Sequence, residues 1–393
     1  MESAGSYPLW SYQPFRLSYN VYDTLFLTAR LPYWIATSAV PSLRPVSQWS
    51  FKQTIMSRIL RAAFHKMAVI GITETHTLDA GKEGERFEVV QPFPDTDYLG
   101  PVAPVAQAKP GAVGGTWYPE RFADIKSKTV MLHIHGGAFI WGDGRTACSG
   151  FLAQIMQDQA ETDAVFSIQY RLSAYEGKNP FPAALQDALT GYLYLVRTLQ
   201  IPPANIVILG DSSGATIASG LIRYLGEYGS KISPEASILP SCAILTSPMI
   251  APLKTAGSGS LNESPYAQHP NFHTDFVPLS TLRWGWCVYA GNTTTVEAAA
   301  QNPYFTPLGH PFATKVPIFI SIGRREIFLP DNEEWAAQMQ EIPGNSIDFT
   351  YEDDALHETL LLGNVLGFEE SAKTVAKRIG VFIKKHSEKA EST

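Results

Sequence analysis

Residues 205–220 read Asn-Ile-Val-Ile-Leu-Gly-Asp-Ser-Ser-Gly-Ala-Thr-Ile-Ala-Ser-Gly, and no other stretch constrains the chain as strongly. The apolar, β-branched run at 206–209 predicts a buried strand, and the residues from Ala215 onward predict a helix. Between them, Gly210-Asp211-Ser212-Ser213-Gly214 forms a G-x-S-x-G pattern, in which the chain reverses so sharply that the serine is strained and its hydroxyl exposed. Glycine is required two residues to either side because a Cβ there would meet the neighbouring strand and helix. The helix that follows aims its N-terminal amides and positive dipole end at negative charge developing beside Ser212. The plain alternative is an ordinary Gly-Ser turn. The strand before it and the helix after it argue against that.

A serine hydroxyl attacks only when a base takes its proton and a carboxylate orients the base. In this arrangement the chain order is serine, acid, histidine. Three histidines follow the aromatic-rich region of the chain: His310, in a Gly-His-Pro loop; His386, in a polar tail; and His357. His357 comes directly after the last predicted strand, at 347–351, and is the expected base. The acid should follow the strand predicted at 316–322, where Glu326 and Asp331 compete. Asp331 is otherwise explained as the cap of a helix over 332–340, with Glu334 completing a capping-box-like pair. Glu326 has no such explanation and is favoured. Glu352, Asp353 and Asp354 stand as outside candidates.

Acyl transfer also needs N–H donors for an oxyanion. His133-Ile134-His135-Gly136-Gly137-Ala138-Phe139 follows a predicted strand at 129–134, and its paired glycines admit close backbone approach; Ser213 N–H supplies a further donor. His133 and His135 share one face of that strand, but no third ligand is spaced nearby, so no metal centre is expected.

The rest of the chain fits an enzyme of this kind. Its 393 residues are 45% hydrophobic and 17% charged with a formal net charge of −7, which is globular and long enough for one large α/β domain with a cap, or for two medium domains. An acidic balance with no basic run and no zinc-type spacing argues against nucleic acid as a partner. Cys148, Cys242 and Cys287 are too few and scattered for a disulfide framework. Residues 1–11 lack the pattern of a signal peptide, so a cytoplasmic location is expected. The apolar stretch at 21–40 is broken by Asp23, Arg30 and Pro32; it makes a poor bilayer span but suits contact with a membrane surface.

Residues 1–72 predict helices that contribute to a cap. Ser50 and Gln53 form a capping-box start, and Phe51, Ile55, Ile59, Ala63 and Met67 recur at helical spacing, a stripe that must lie over the main domain's mouth. Residues 73–393 predict the catalytic domain. Strands are expected at 75–79, 87–90 and 114–119, with a surface loop over 91–113. Further strands at 129–134, 164–171, 205–209, 241–246, 316–322 and 347–351 alternate with helices at 150–158, 182–199 and 371–386. That alternation means parallel pairing, right-handed crossovers and helices on both faces. Residues at about 250–312 interrupt it as a cap insertion at the strands' C-terminal ends, where open α/β sheets place ligands. Phe276, Trp284 and Trp286 from that insertion, with Phe139 and Trp141, are expected to line an apolar pocket, though such aromatics serve equally as a cap's own core.

Taken together, His135-Gly136-Gly137-Ala138-Phe139, Tyr170-Arg171-Leu172, Pro180-Phe181-Pro182-Ala183-Ala184-Leu185-Gln186-Asp187-Ala188 and Gly210-Asp211-Ser212-Ser213-Gly214 resemble the hormone-sensitive-lipase-like branch of the α/β-hydrolases. The resemblance runs in order through residues 85–385. It implies a mostly parallel eight-stranded sheet with a helical cap and hydrolysis of a carboxylic ester through an acyl-enzyme without a cofactor. It carries nucleophile to Ser212, base to His357, and oxyanion donors to Gly136, Gly137 and Ser213. Three departures stand out: Ala138 replaces a third glycine, Ser213 replaces alanine, and the acid's run carries an extra residue. Residues Arg44-Pro45-Val46-Ser47-Gln48-Trp49-Ser50 look similar to fungal members, some of which act on natural-product esters, lactones or thioesters.

The expected activity is therefore that of a serine carboxylesterase on a small, largely apolar ester. An acyltransferase or a lyase or cyclase on the same triad, and a silent small-molecule receptor, are the alternatives. Receptors of this branch usually lose the histidine; here Ser212 and His357 are both present. A homodimer is left open.

Overall fold

The computed structural model describes residues 5–257 and 259–390. Its strands are β1 (Phe87–Val90), β2 (Val113–Tyr118), β3 (Val130–Ile134), β4 (Ala164–Gln169), β5 (Ile206–Asp211), β6 (Cys242–Thr246), β7 (Ile318–Gly323) and β8 (Ile347–Glu352). They join in one eight-stranded sheet of order β1-β2-β4-β3-β5-β6-β7-β8. The pairs β1–β2 and β2–β4 are antiparallel and all others parallel. Every residue of β3, β5, β6 and β7 is buried, which explains their near-continuous apolar runs.

The helices are α1 (Phe15–Ala39), α2 (Phe51–Ile70), α3 (Thr146–Ala160), α4 (Ala183–Leu193), α5 (Ser213–Ile232), the short α6 (Leu253–Ala256), α7 (Leu279–Ala290), the short α8 (Val296–Ala299), α9 (Leu329–Gln340), α10 (Thr359–Leu366) and α11 (Glu369–Ala390). The two-residue period of the strands divides the core. Ile206 and Ile208 of β5 belong to the apolar cluster that holds Leu189 of α4, Leu221 of α5 and Trp335 of α9. Val207 and Leu209 belong to the one that holds Met156 of α3 and Ile379 of α11. Each such aliphatic side chain contributes about 1.5–3 kcal/mol by leaving water. Strand β5 ends at Asp211 and α5 begins at Ser213, so the whole reversal falls on Ser212.

Residues between β6 and β7 carry α6, α7 and α8 above the strands' C-terminal ends, and α2 lies across α7. Arg61 donates to Asp275 O at 2.7 Å, and Thr281 Oγ1 to Phe64 O at 3.1 Å. The expected capping box forms with both bonds, Ser50 and Gln53 each serving the other's N–H, and α2 stops at Gly71 with φ 70°. Just ahead of it, the Trp49 indole donates to Asp354 O at 2.6 Å, pinning this segment to the loop before His357.

Three expectations differ from the structure. Residues 75–79 form no strand: the carbonyls of Thr77, Asp79 and Ala80 accept from the Arg145 guanidinium, and Thr77 also from the Gln169 amide, so side chains replace a ladder. The helix expected over 182–199 is α-helical only to Leu193 and then widens into a π turn, Tyr194–Thr198. Asp331 caps nothing: α9 begins at Leu329, placing Asp331 in its first turn.

Candidate active site

Ser212 sits at φ 51° and ψ −118°, a conformation that costs on the order of 1–3 kcal/mol. Its surroundings leave no alternative. A Cβ on Gly210 would lie 2.4 Å from Gly214 O, and one on Gly214 would lie 1.9 Å from Ile134 O in β3. Ser212 N–H donates to Thr246 O at 2.9 Å, and Ser212 O accepts from Met249 and Ala215. The glycines of the motif are thus spacers between α5 and two strands.

Ser212 Oγ lies 3.0 Å from His357 Nε2, and His357 Nδ1 lies 2.9 Å from Glu326 Oε2. Glu326 comes three residues after the end of β7, in a turn where its Oε1 accepts from Ser247 Oγ at 2.7 Å and from Gly323 N at 2.6 Å. Burial pushes the Glu326 carboxyl up, while these two donors favour its ionised form. His357 follows β8 and is enclosed by the rings of Phe328 and Phe276, at centroid distances of 5.1 and 5.8 Å. Burial lowers its imidazolium to about 4, so the ring rests neutral and able to accept a proton. Asp331, the competing acid, is bound instead by Lys254 and Tyr266.

The loop after β3 turns through Gly137 (φ 109°), Ala138 (φ 52°) and Phe139 (φ 67°). Gly137 is obligatory, because a Cβ there would stand 2.2 Å from Trp141 O. Asp211 anchors the loop: one carboxylate oxygen accepts from Gly136 N–H at 2.7 Å, and the other is 2.7 Å from His133 Nε2. Gly136 N–H is therefore engaged, which corrects its expected place among the oxyanion donors. Among the described residues, no acceptor takes the N–H of Gly137, Ala138 or Ser213. His133 completes a chain to Ser167 at 2.7 Å, and His135 lies against the Tyr170 ring, so this histidine pair is occupied in holding β3 and its loop.

A cavity of about 440 Å³ opens on Ser212, His357, Gly136, Gly137 and Ala138. Trp141 and Phe276 line it as expected. Phe139, Trp284 and Trp286 do not. Phe139 is fully buried, stacked on Tyr289 at 3.8 Å and tilted against Trp286 at 5.1 Å. Trp284 is buried between Trp141 and Tyr175. These three rings join cap to body, and the wall is completed by Phe64 and Met67 of α2 and Leu361 of α10. Phe64 stacks on Trp141 at 4.6 Å.

Two carboxyls near the triad carry no signal that sequence reasoning used. Asp275, in the cap, accepts from Ile327 N at 2.9 Å and is raised to about 6 by burial. Glu358 directly follows His357, and that adjacency was its one available signal. It takes a left-handed φ of 65°, faces the cavity, and has Oε1 3.7 Å from His357 Nε2. No donor among the described residues reaches either of its oxygens. Burial, with Asp211 beside it, holds this carboxyl well above its ordinary range.

A strained serine on a strand–helix turn, a histidine and an acid after later strands, and a mostly parallel sheet define an α/β-hydrolase type of site. The family described as the alpha/beta hydrolase fold matches residues 131–361, and the chain belongs to it. It is 28% identical to an esterase of Acinetobacter venetianus over 245 residues, 62% of this chain and 72% of that protein. It is 29% identical to esterase LipU of Mycobacterium tuberculosis over 221 residues, 54% of this chain and 64% of that one. An esterase of the bacterial hormone-sensitive lipase family shares the fold with a TM-score of 0.56 at 19% identity, over 91% of this chain and 98% of its own. Both sequence relatives are bacterial. The likeness to fungal members therefore stays with residues 44–50 alone.

Proposed function

We propose that the protein is a serine carboxylesterase of the hormone-sensitive-lipase-like branch, acting through an acyl-enzyme. The observation that carries this reading is the unbroken chain Ser212–His357–Glu326, at 3.0 and 2.9 Å, opening on an apolar-walled cavity. Ser212 Oγ attacks the ester carbonyl as its proton passes to His357 Nε2, and Glu326 holds the imidazole and stabilises its charge. The oxyanion faces the N–H groups of Gly137, Ala138 and Ser213 at the start of α5, each such donor being worth about 3 kcal/mol in other serine hydrolases. His357 then protonates the leaving alkoxide. A water, deprotonated by the same imidazole, frees the acid and restores Ser212. The route needs no cofactor.

The substrate class is a small to medium, uncharged, largely apolar ester. A cavity of about 440 Å³ walled by Phe64, Trp141, Phe276 and Leu361 has the size and character of a small-molecule site. Residues 5–72 and the described part of the insertion at about 250–312 together form the cap over it. The test is turnover of p-nitrophenyl esters of graded acyl length by the wild type and by Ser212→Ala. Hydrolysis lost in Ser212→Ala supports the reading. Activity surviving in Ser212→Ala overturns it.

A further inference from the structure

Helices α1 and α2 carry a single carboxylate between them, Asp23, which is buried on α1 and lies 3.3 Å from Lys66 Nζ of α2. The other cations between the two helices have no such answer. Arg30 of α1, with Arg58 and Arg61 of α2, lines a groove of about 450 Å³ bordered by both helices and by cap residues within 261–280. Arg58 donates to Trp34 O at 3.1 Å, Thr37 Oγ1 at 2.7 Å and Ser38 Oγ at 3.1 Å, and Arg61 donates to Asp275 O at 2.7 Å; all four acceptors are uncharged. Among the described residues, no acceptor takes the Arg30 guanidinium, which rests 4.2 Å from the Phe26 ring. The cap's carboxylates beside the groove give their oxygens to backbone N–H groups: Asp275 accepts from Val277 at 3.2 Å and Ile327 at 2.9 Å, and Glu263 from Ser260 at 3.1 Å.

Cations drawn out of water are ordinarily paired with an anion. Burial lowers the guanidiniums of Arg58 and Arg61, and for Arg61 the charge of Asp275 only partly restores it. Three arginines converging on one groove with no free carboxylate therefore describe a site that lacks its counterion. The groove is also apolar: the rings of Phe26, Trp34 and Phe272 share its walls, with Arg61 4.5 Å from the Phe272 ring. The planar fork of a guanidinium matches the two oxygens of a carboxylate, and the rings suit a hydrocarbon body attached to it. A volume of about 450 Å³ is that of a small-molecule site.

We propose that the groove between α1, α2 and the cap binds a small amphipathic carboxylate, held by Arg30, Arg58 and Arg61. Helix α2 separates this site from the catalytic cavity, with Arg58 and Arg61 in the groove and Phe64 and Met67 in the cavity wall. An acid released at Ser212 belongs to the same chemical class. That link rests on the esterase reading, whereas the anion site itself does not.

The test is isothermal titration calorimetry of the full chain with octanoate, compared with octanamide, which lacks the charge, and acetate, which lacks the chain. Octanoate should bind about tenfold or more tightly than either. Arg30 is exposed and without an acceptor, so Arg30→Gln keeps the fold; it should weaken octanoate about tenfold. Ala62→Glu sets a carboxylate into the groove and should abolish octanoate binding. The proposal is overturned if octanoate does not bind, or if octanamide or acetate binds as tightly. It is equally overturned if either variant binds octanoate like wild type, because the acid then sits elsewhere, the catalytic cavity included. No turnover enters this measurement, so failure of the esterase reading shows separately, as hydrolysis that survives Ser212→Ala.

Discussion

His357 Nδ1 stands 2.9 Å from Glu326 Oε2, and Glu326 is fixed from behind by Ser247 and the Gly323 N–H, so the carboxylate that meets the imidazole is a glutamate held on three sides. Asp331, five residues on, is held by Lys254 and Tyr266 away from the imidazole. Glu326→Gln should reduce kcat on p-nitrophenyl butyrate by about 10³–10⁴-fold with little change in KM. Asp331→Asn should keep kcat within about threefold and lower the melting temperature, since it removes charge from a bonded cluster at the start of α9. Steady-state kinetics and thermal melts of both variants check this.

The pH profile follows from the enclosure of His357. Burial lowers its imidazolium to about 4, against an ordinary value of 6.5. The acid limb of kcat/KM should therefore fall near pH 4 rather than near 6.5. The same group contributes stability that is present above pH 6.5 and lost as pH falls toward 4, because the unfolded chain takes the proton first. His357→Gln should flatten the melting temperature across that window relative to wild type.

Glu358 works in the opposite direction. Its folded carboxyl is raised above the ordinary 4.5, so its contribution is present below that value and is lost as pH rises. Glu358→Gln should melt above wild type at pH 8, with the gain shrinking toward pH 4.5. Equal shifts at both pH values would contradict the buried-acid account.

The cavity wall and the cap core should separate by mutation. Phe64→Ala opens the wall over Trp141 and Phe276 and should raise kcat/KM for long acyl chains relative to short ones. Trp286→Ala removes a fully buried ring between Phe139 and Phe305 and should cost about 3–5 kcal/mol of stability. Its effect on acyl-length preference should be small. An ester series and denaturant melts read both.

The parts of this molecule legible in its sequence are those where backbone geometry dictates residue type. Gly210 and Gly214 are forced by contacts with Gly214 O and Ile134 O, so the pattern around Ser212 reports its own turn. Runs such as residues 206–209 report a sheet covered on both faces, and His357 and Glu326 follow from their positions after β8 and β7. The sequence explains Asp331 as a helix cap, whereas it lies inside the first turn of α9, bound by Lys254 and Tyr266. What stayed illegible depends on side chains meeting across the fold. The Asp211 carboxylate reaches from β5 to the Gly136 N–H on the loop after β3, and nothing local to Gly136 shows that. Whether Phe139, Trp284 and Trp286 face the cavity or the cap core is decided by how α7 beds on the body. That Phe64 and Met67 supply the wall is decided by how α2 lies across α7. The alternation at 75–79 resembles a strand, but Arg145 and Gln169 take its carbonyls.

The central claim is that Ser212 carries the acyl group. Its most direct test is rapid acid quench of the protein with p-nitrophenyl butyrate, followed by intact mass and peptide mapping. The account predicts the added mass of one butyryl group on the peptide containing Ser212, formed in a burst with released nitrophenol and absent from Ser212→Ala. Turnover without any adduct on that peptide, or an adduct that persists in Ser212→Ala, would contradict it.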